Sequence, residues 1–143
     1  MNKPLISKKE IVLKYSAKTI WDIVVNNNDY KWRSGINKIE ILENGKDWIE
    51  YYNENGKFFT KFTLKDKKEY SFYSFDMENK NFYGNWTGKF IELSNNETKC
   101  IFTEKVYIKN RIMNILAKYF WNLDKIQEKY FDDLRKKLSQ NNI

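Results

Sequence analysis

The stretch from Asn110 to Leu138, NRIMNILAKYFWNLDKIQEKYFDDLRKKL, decides how this chain reads. It contains no Gly or Pro. Its apolar residues fall at Ile112, Ile115, Leu116, Tyr119, Phe120, Leu123, Ile126, Tyr130, Leu134 and Leu138. That three-and-four spacing is the apolar stripe of an amphipathic helix. The opposite face carries Lys118, Asp124, Lys125, Glu128, Lys129, Asp132, Lys136 and Lys137, charges of both signs that suit solvent. The spacing predicts a single helix roughly 40 Å long, more than one wall of a small domain requires. A sheet that wraps such a helix tends to leave a cavity between the two.

Upstream of this helix the period changes to two. Strands are expected at Ile6–Tyr15, Ile36–Leu42, Asp47–Tyr52, Lys57–Lys65, Glu69–Met77, Phe82–Leu93 and Thr98–Tyr107. Asn44-Gly45 and Asn55-Gly56 are hairpin turn pairs, because both residue types tolerate positive φ. Short polar connectors join the later strands, so consecutive strands run antiparallel. After the first strand, Ser16 offers a capping oxygen to a short helix carrying Ile20, Trp21, Val24 and Val25, which the run Asn26–Asp29 ends. Asp29 is placed to cap a second short helix holding Tyr30 and Trp32, up to Gly35. The whole chain, 1–143, reads as one α+β domain: a strand, two short helices, six meandering strands and the long helix.

Composition excludes several chemistries. There is no histidine, so no Ser-His-Asp triad, Cys-His dyad or imidazole ligand can form. A lone cysteine, Cys100, rules out an intrachain disulfide and a thiolate zinc cluster, and its strand setting suits an inert buried thiol. No acidic loop has EF-hand spacing, so no metal and no cofactor are expected. The net charge of +7 is almost all lysine, scattered among Asp and Glu, with only Arg33, Arg111 and Arg135 as arginines. Base and phosphate recognition favour arginine, so nucleic acid is not an expected partner. Met1–Ser7 lacks a long apolar core, and Lys14 and Lys18 interrupt the apolar residues that start at Ile11. Neither a signal peptide nor stable membrane insertion is expected, and the location expected is cytoplasmic.

Strand alternation assigns faces. Lys99, Thr103 and Lys105 point out, which turns Cys100, Phe102, Glu104 and Val106 inward. Thr87 and Lys89 likewise turn Trp86, Gly88 and Phe90 inward, and Phe58, Thr60, Phe62 and Leu64 oppose Lys61 and Lys65. Gly84 and Gly88 have no side chain to pack and mark sharp bends or open space. Two carboxylates fall on inward parity. Glu104, if buried, has a raised pKa and can act as general acid or base; the simpler reading places it near a strand end, paired with a lysine or a tyrosine hydroxyl. Glu50 is the weaker candidate, because Ile49 and Tyr51 make its parity ambiguous.

The order of elements resembles the START-like, or SRPBCC, superfamily, which includes polyketide cyclase-like proteins and Bet v 1 allergens. The resemblance runs from Ile11 to Leu138. It rests on Ser16-Ala17-Lys18-Thr19-Ile20-Trp21, the turn Tyr30-Lys31-Trp32, Trp86-Thr87-Gly88-Lys89-Phe90, the strand from Thr98 through Glu104, and the terminal helix. It implies a helix-grip fold, a seven-stranded curved antiparallel sheet around the C-terminal helix with a deep cavity. Family membership alone does not fix an activity.

The function expected is binding of a small hydrophobic or amphipathic molecule, lipid- or polyketide-like, in that cavity. Phe62, Phe72, Trp86, Phe90, Phe102, Met113, Leu116 and Phe120 are the expected lining, and Glu104, with Tyr52 or Tyr119, would orient a polar group. The alternative is a cofactor-independent cyclase or dehydratase, with Glu104 as the candidate for proton transfer. A third is an interaction module whose aromatic residues fill the interior. Ligand identity and oligomeric state are open at this level.

Overall fold

A computed structural model of the chain describes residues 3–111 and 122–141. In order they form β1 (Leu5–Leu13), α1 (Ala17–Val24), β2 (Lys38–Ile41), β3 (Asp47–Tyr51), β4 (Phe59–Lys68), β5 (Phe72–Glu78), β6 (Phe82–Ser94), β7 (Glu97–Ile108) and α2 (Leu123–Asn141). The seven strands make one antiparallel sheet in the order β1-β7-β6-β5-β4-β3-β2. The meander from β2 to β7 is dictated by the short hairpins. β1 then returns to the far edge and pairs with β7 along its whole length. Gly45 and Gly56 hold positive φ at the two Asn-Gly turns. Register shifts between Leu64 and Asp66, and between Glu92 and Ser94, bend β4 and β6.

On α1, the Ser16 hydroxyl accepts the Thr19 backbone N–H at 3.2 Å, closing one orphan donor of the first turn. The helix buries Ile20, Trp21 and Val24 against the sheet, with Trp21 edge-on to Phe90 at 5.5 Å. The second short helix expected after it is absent. Asp29 N–H to Asn26 O, Arg33 N–H to Tyr30 O and Ile36 N–H to Arg33 O are separate three-residue turns. Asn26 also spends its side-chain oxygen on the Asn28 N–H, which diverts the backbone from a continuous helical ladder. The outcome is a loop of linked turns, and Arg33 rides on it.

Of the expected C-terminal helix the described part is Leu123–Asn141; positions 112–121 of its apolar stripe lie outside the described residues. Asn122 caps α2, accepting the Lys125 N–H on its side chain at 3.2 Å just before the first helical residue, Leu123. From there Leu123, Gln127, Phe131, Leu134 and Leu138 are buried, a spacing of fours and a three along one face. Phe131 stacks on Phe102 of β7 at 4.7 Å, which seats the helix in the concave side of the sheet. Gln127 is the polar exception. Its amide donates to the Ser7 and Phe102 carbonyls and its oxygen accepts from the Trp86 indole, so its buried amide is fully engaged. No helix among the described residues is long and apolar enough to cross a membrane.

Candidate functional site

Between the concave face and α2 lies a cavity of about 370 Å³. Its back wall is a set of rings carried on adjacent strands. Trp48 of β3 stacks on Phe62 of β4 at 5.6 Å, Phe75 of β5 stacks on Trp86 of β6 at 5.0 Å, and Phe62 meets Phe75 edge-on at 5.3 Å. The sheet register brings these rings together, since Trp48 lies opposite Phe62 and Phe75 opposite Trp86. The next partner in the latter row is Glu104 of β7, directly across from Trp86. Tyr73 and Met77 of β5, Tyr52 and Thr60 complete the sheet side, and Ile126, Gln127 and Tyr130 of α2 form the opposite wall.

Gly88 shapes this wall. A Cβ there would lie 2.6 Å from the Trp86 ring, so the space left by the missing side chain is taken up by the indole lying along its own strand. Gly84 serves a different purpose. A Cβ would collide with the Lys105 carbonyl oxygen, so β6 and β7 approach there as only glycine permits.

Three charged side chains set the electrostatics. The Arg33 guanidinium grips Glu50 with two parallel bonds, Nη1 to Oε2 at 3.1 Å and Nη2 to Oε1 at 3.2 Å. Glu50 also accepts the Trp48 indole N–H at 3.3 Å and is only 4% exposed. Burial works against the charge on Arg33, yet the Glu50 carboxylate and its hydrogen bonds outweigh that and hold the guanidinium above its ordinary value. The same group sits 5.4 Å from the Tyr130 ring, a cation–π contact. Burial, with lesser help from Glu50, pushes the Glu104 carboxyl up to about 7, against the pull of Arg33. Burial likewise raises the phenols of Tyr52 and Tyr130, and takes Tyr73 to about 12 despite its bond to Asn27.

No group of three or more Cys, Asp or Glu side chains among the described residues could hold a metal ion. The described lining offers apolar walls, a saturated ion pair and a carboxyl raised toward neutrality.

No protein-family model matches the sequence, and no curated protein matches it significantly. Solved structures do match in shape. A START superfamily protein from Mycobacterium smegmatis superimposes with a TM-score of 0.73 at 17% identity, over 94% of this chain and 97% of that one. A conserved protein from Geobacillus kaustophilus gives 0.78 at 13% identity, over 95% and 96%. Norcoclaurine synthase from Thalictrum flavum, solved in complex with dopamine and hydroxybenzaldehyde, gives 0.72 at 12% identity, over 99% and 90%. The fold is the START-like helix grip.

Within this START-like frame, Phe62, Trp86 and Glu104 wall the cavity. Phe90 and Phe102 are buried on the same face but are consumed by packing, against Trp21 and Phe131 respectively, and do not wall it. Phe72 does not wall it either: it lies opposite Lys89, on the outer face. Its neighbours Tyr73, Phe75 and Met77 are the inward set of β5, which strict alternation with Ser74 and Asp76 would have selected. Phe58, expected inward on β4, precedes that strand and is 56% exposed. Met113, Leu116, Tyr119 and Phe120 lie outside the described residues.

The two carboxylates differ in their partners. Glu50, the weaker candidate, is the buried and paired one. Glu104, expected to pair with a lysine or a tyrosine hydroxyl, has no hydrogen-bond or ion-pair partner among the described residues. Tyr52 directs its hydroxyl to Thr60 instead, at 2.8 Å. Arg33 carries no sequence signal as a site residue, because it meets Glu50 only once the loop after α1 folds over β3.

Proposed function

We propose that the chain binds a small hydrophobic or amphipathic molecule in the cavity between the sheet and the C-terminal helix. The observation that carries this reading is the aromatic cavity of about 370 Å³ with, in its wall, a carboxyl that has no partner among the described residues. Its size and makeup, apolar walls with few polar groups, are those of small-molecule sites. The likeness to a synthase solved with two small aromatic molecules lends support. Native mass spectrometry of protein purified under gentle conditions from its own host should reveal a retained small molecule. Empty protein that also fails to bind fatty acids and aromatic polyketides would sink the reading.

One observation favours a second reading, a cofactor-independent cyclase or dehydratase. A carboxyl held near 7 can give and take protons at neutral pH, and it faces the cavity in which a substrate would be positioned. In that case Glu104→Gln should abolish turnover while the fold persists, and undiminished turnover would remove Glu104 from the chemistry.

A further inference from the structure

We propose that the head group this cavity selects is a cationic amine, seated on Glu104 beneath the aromatic wall. This head-group assignment deepens the ligand-binding reading and rests on it. The polar groups of the cavity differ in the bonding capacity they have left. Arg33, the cation facing the interior, has both terminal nitrogens committed to Glu50 and its face covered by Tyr130. It has little left for the carboxylate of an acid. Glu50 in turn is occupied by the guanidinium and the Trp48 indole. Glu104 alone among these three has no partner among the described residues, and a desolvated carboxyl without a donor is costly.

A ligand that supplies a donor there relieves that cost. The groups facing Glu104 set the sign of the donor. Across from it in β6 is the Trp86 ring, and across from it in β1 is Ser7, whose hydroxyl donates to the Asp124 carboxylate of α2. β3 and the loop before β2 bring Glu50 and Arg33; α2 also brings Tyr130 and the uncharged Gln127, with Lys129 and Asp133 in the lining. The ionisable lining thus holds three carboxylates against two cations once Glu104 has lost its proton. An anionic head would meet Glu50 and Glu104 together, whereas a cation pairs with Glu104 and finds ring faces beside it. Because Glu104 gives up its proton near neutrality, amine binding should strengthen as pH rises through about 7, while the amine itself stays charged.

The test uses three probes that share one naphthyl ring: naphthylethylamine, naphthylethanol and naphthylacetate. Titration of the intact chain by calorimetry at about pH 8 should rank the amine above the alcohol by about tenfold, and the acetate last, as a charge-assisted bond predicts. At about pH 5.5 that preference should collapse in the same unmodified protein, as protonation removes the carboxylate. Glu104→Gln should reduce the amine-to-alcohol ratio at the higher pH to near one. An acetate bound as tightly as the amine, or an amine preference that survives low pH or Glu104→Gln, overturns the proposal. If the alcohol binds without any gain for the amine, only the head-group assignment fails. If none of the three binds, the cavity reading fails with it.

Discussion

Glu104 is the residue whose environment makes the most quantitative demand. Its carboxyl rises from an ordinary 4.5 to about 7 because burial, and secondarily the charge of Glu50, disfavour the ionised form. The folded protein therefore holds this proton more tightly than the unfolded chain does. Below about pH 4.5 both states are protonated and Glu104 costs nothing. As pH rises, the unfolded chain ionises first, and the folded state falls behind until about pH 7. Each tenfold difference in proton affinity is worth about 1.4 kcal/mol, so the full penalty is about 3 kcal/mol. Gln has nearly the shape of the protonated acid and no charge to desolvate. Glu104→Gln should match the parent within about 0.5 kcal/mol near pH 4.5. Near pH 8 it should be more stable by about 2–3 kcal/mol. Urea denaturation at the two pH values reads this directly, and the melting temperature should rise by up to about 10 °C at the higher pH. A stability difference that does not change with pH, or a variant less stable at pH 8, would refute the reasoning, because the carboxylate would then be stabilised by a partner.

The remaining predictions address the walls of the site. Arg33→Met strands Glu50 as a buried unpaired carboxylate and should cost about 3 kcal/mol in urea denaturation, with much of that restored by adding Glu50→Met. Loss of less than about 1 kcal/mol in the single variant would mean that water already screens the pair. Gly84→Ala drives a Cβ into the Lys105 carbonyl and should destabilise by about 2–4 kcal/mol. Gly88→Ala meets side chains, the Trp86 ring edge at 2.6 Å and Phe102 at 3.3 Å, not backbone; stability should fall by about 1 kcal/mol as the rings shift, while binding of naphthylethanol drops more than stability does. Equal stability losses in the two glycine variants would contradict this division. Cys100 is fully buried and its thiol is pushed up to about 12 by burial, so native protein at about pH 8 should resist a disulfide reagent that labels the urea-unfolded chain completely.

The order and pairing of the strands are the features most legible in the sequence. Alternation along β6 and β7 places Trp86, Phe102 and Glu104 on the concave face, because Lys89, Lys99 and Lys105 mark the other side plainly. Residue type misleads where it is read in place of alternation, as with Phe72. Burial on the inward face also does not distinguish a lining residue from a packed one. Phe90 and Phe102 face inward like Trp86, but α1 and α2 reach them and fill the space. The Arg33–Glu50 pair is illegible for another reason: it joins a turn to a strand 17 residues on, and no local period encodes that contact. The same holds for the missing second helix, where single turns, the first of them joined by the Asn26 side chain, replace the helical ladder.

The central claim is that the space between sheet and helix takes a small molecule. The most direct test monitors the indole N–H resonances of isotopically labelled protein during titration with naphthylethanol. Trp48 and Trp86 wall the cavity, whereas Trp21 is packed behind it against Phe90. The signals of Trp48 and Trp86 should move together and saturate, with that of Trp21 nearly still. Signals of Trp48 and Trp86 that stay fixed at saturating probe, or shifts confined to Trp21 and Trp32, would contradict the account.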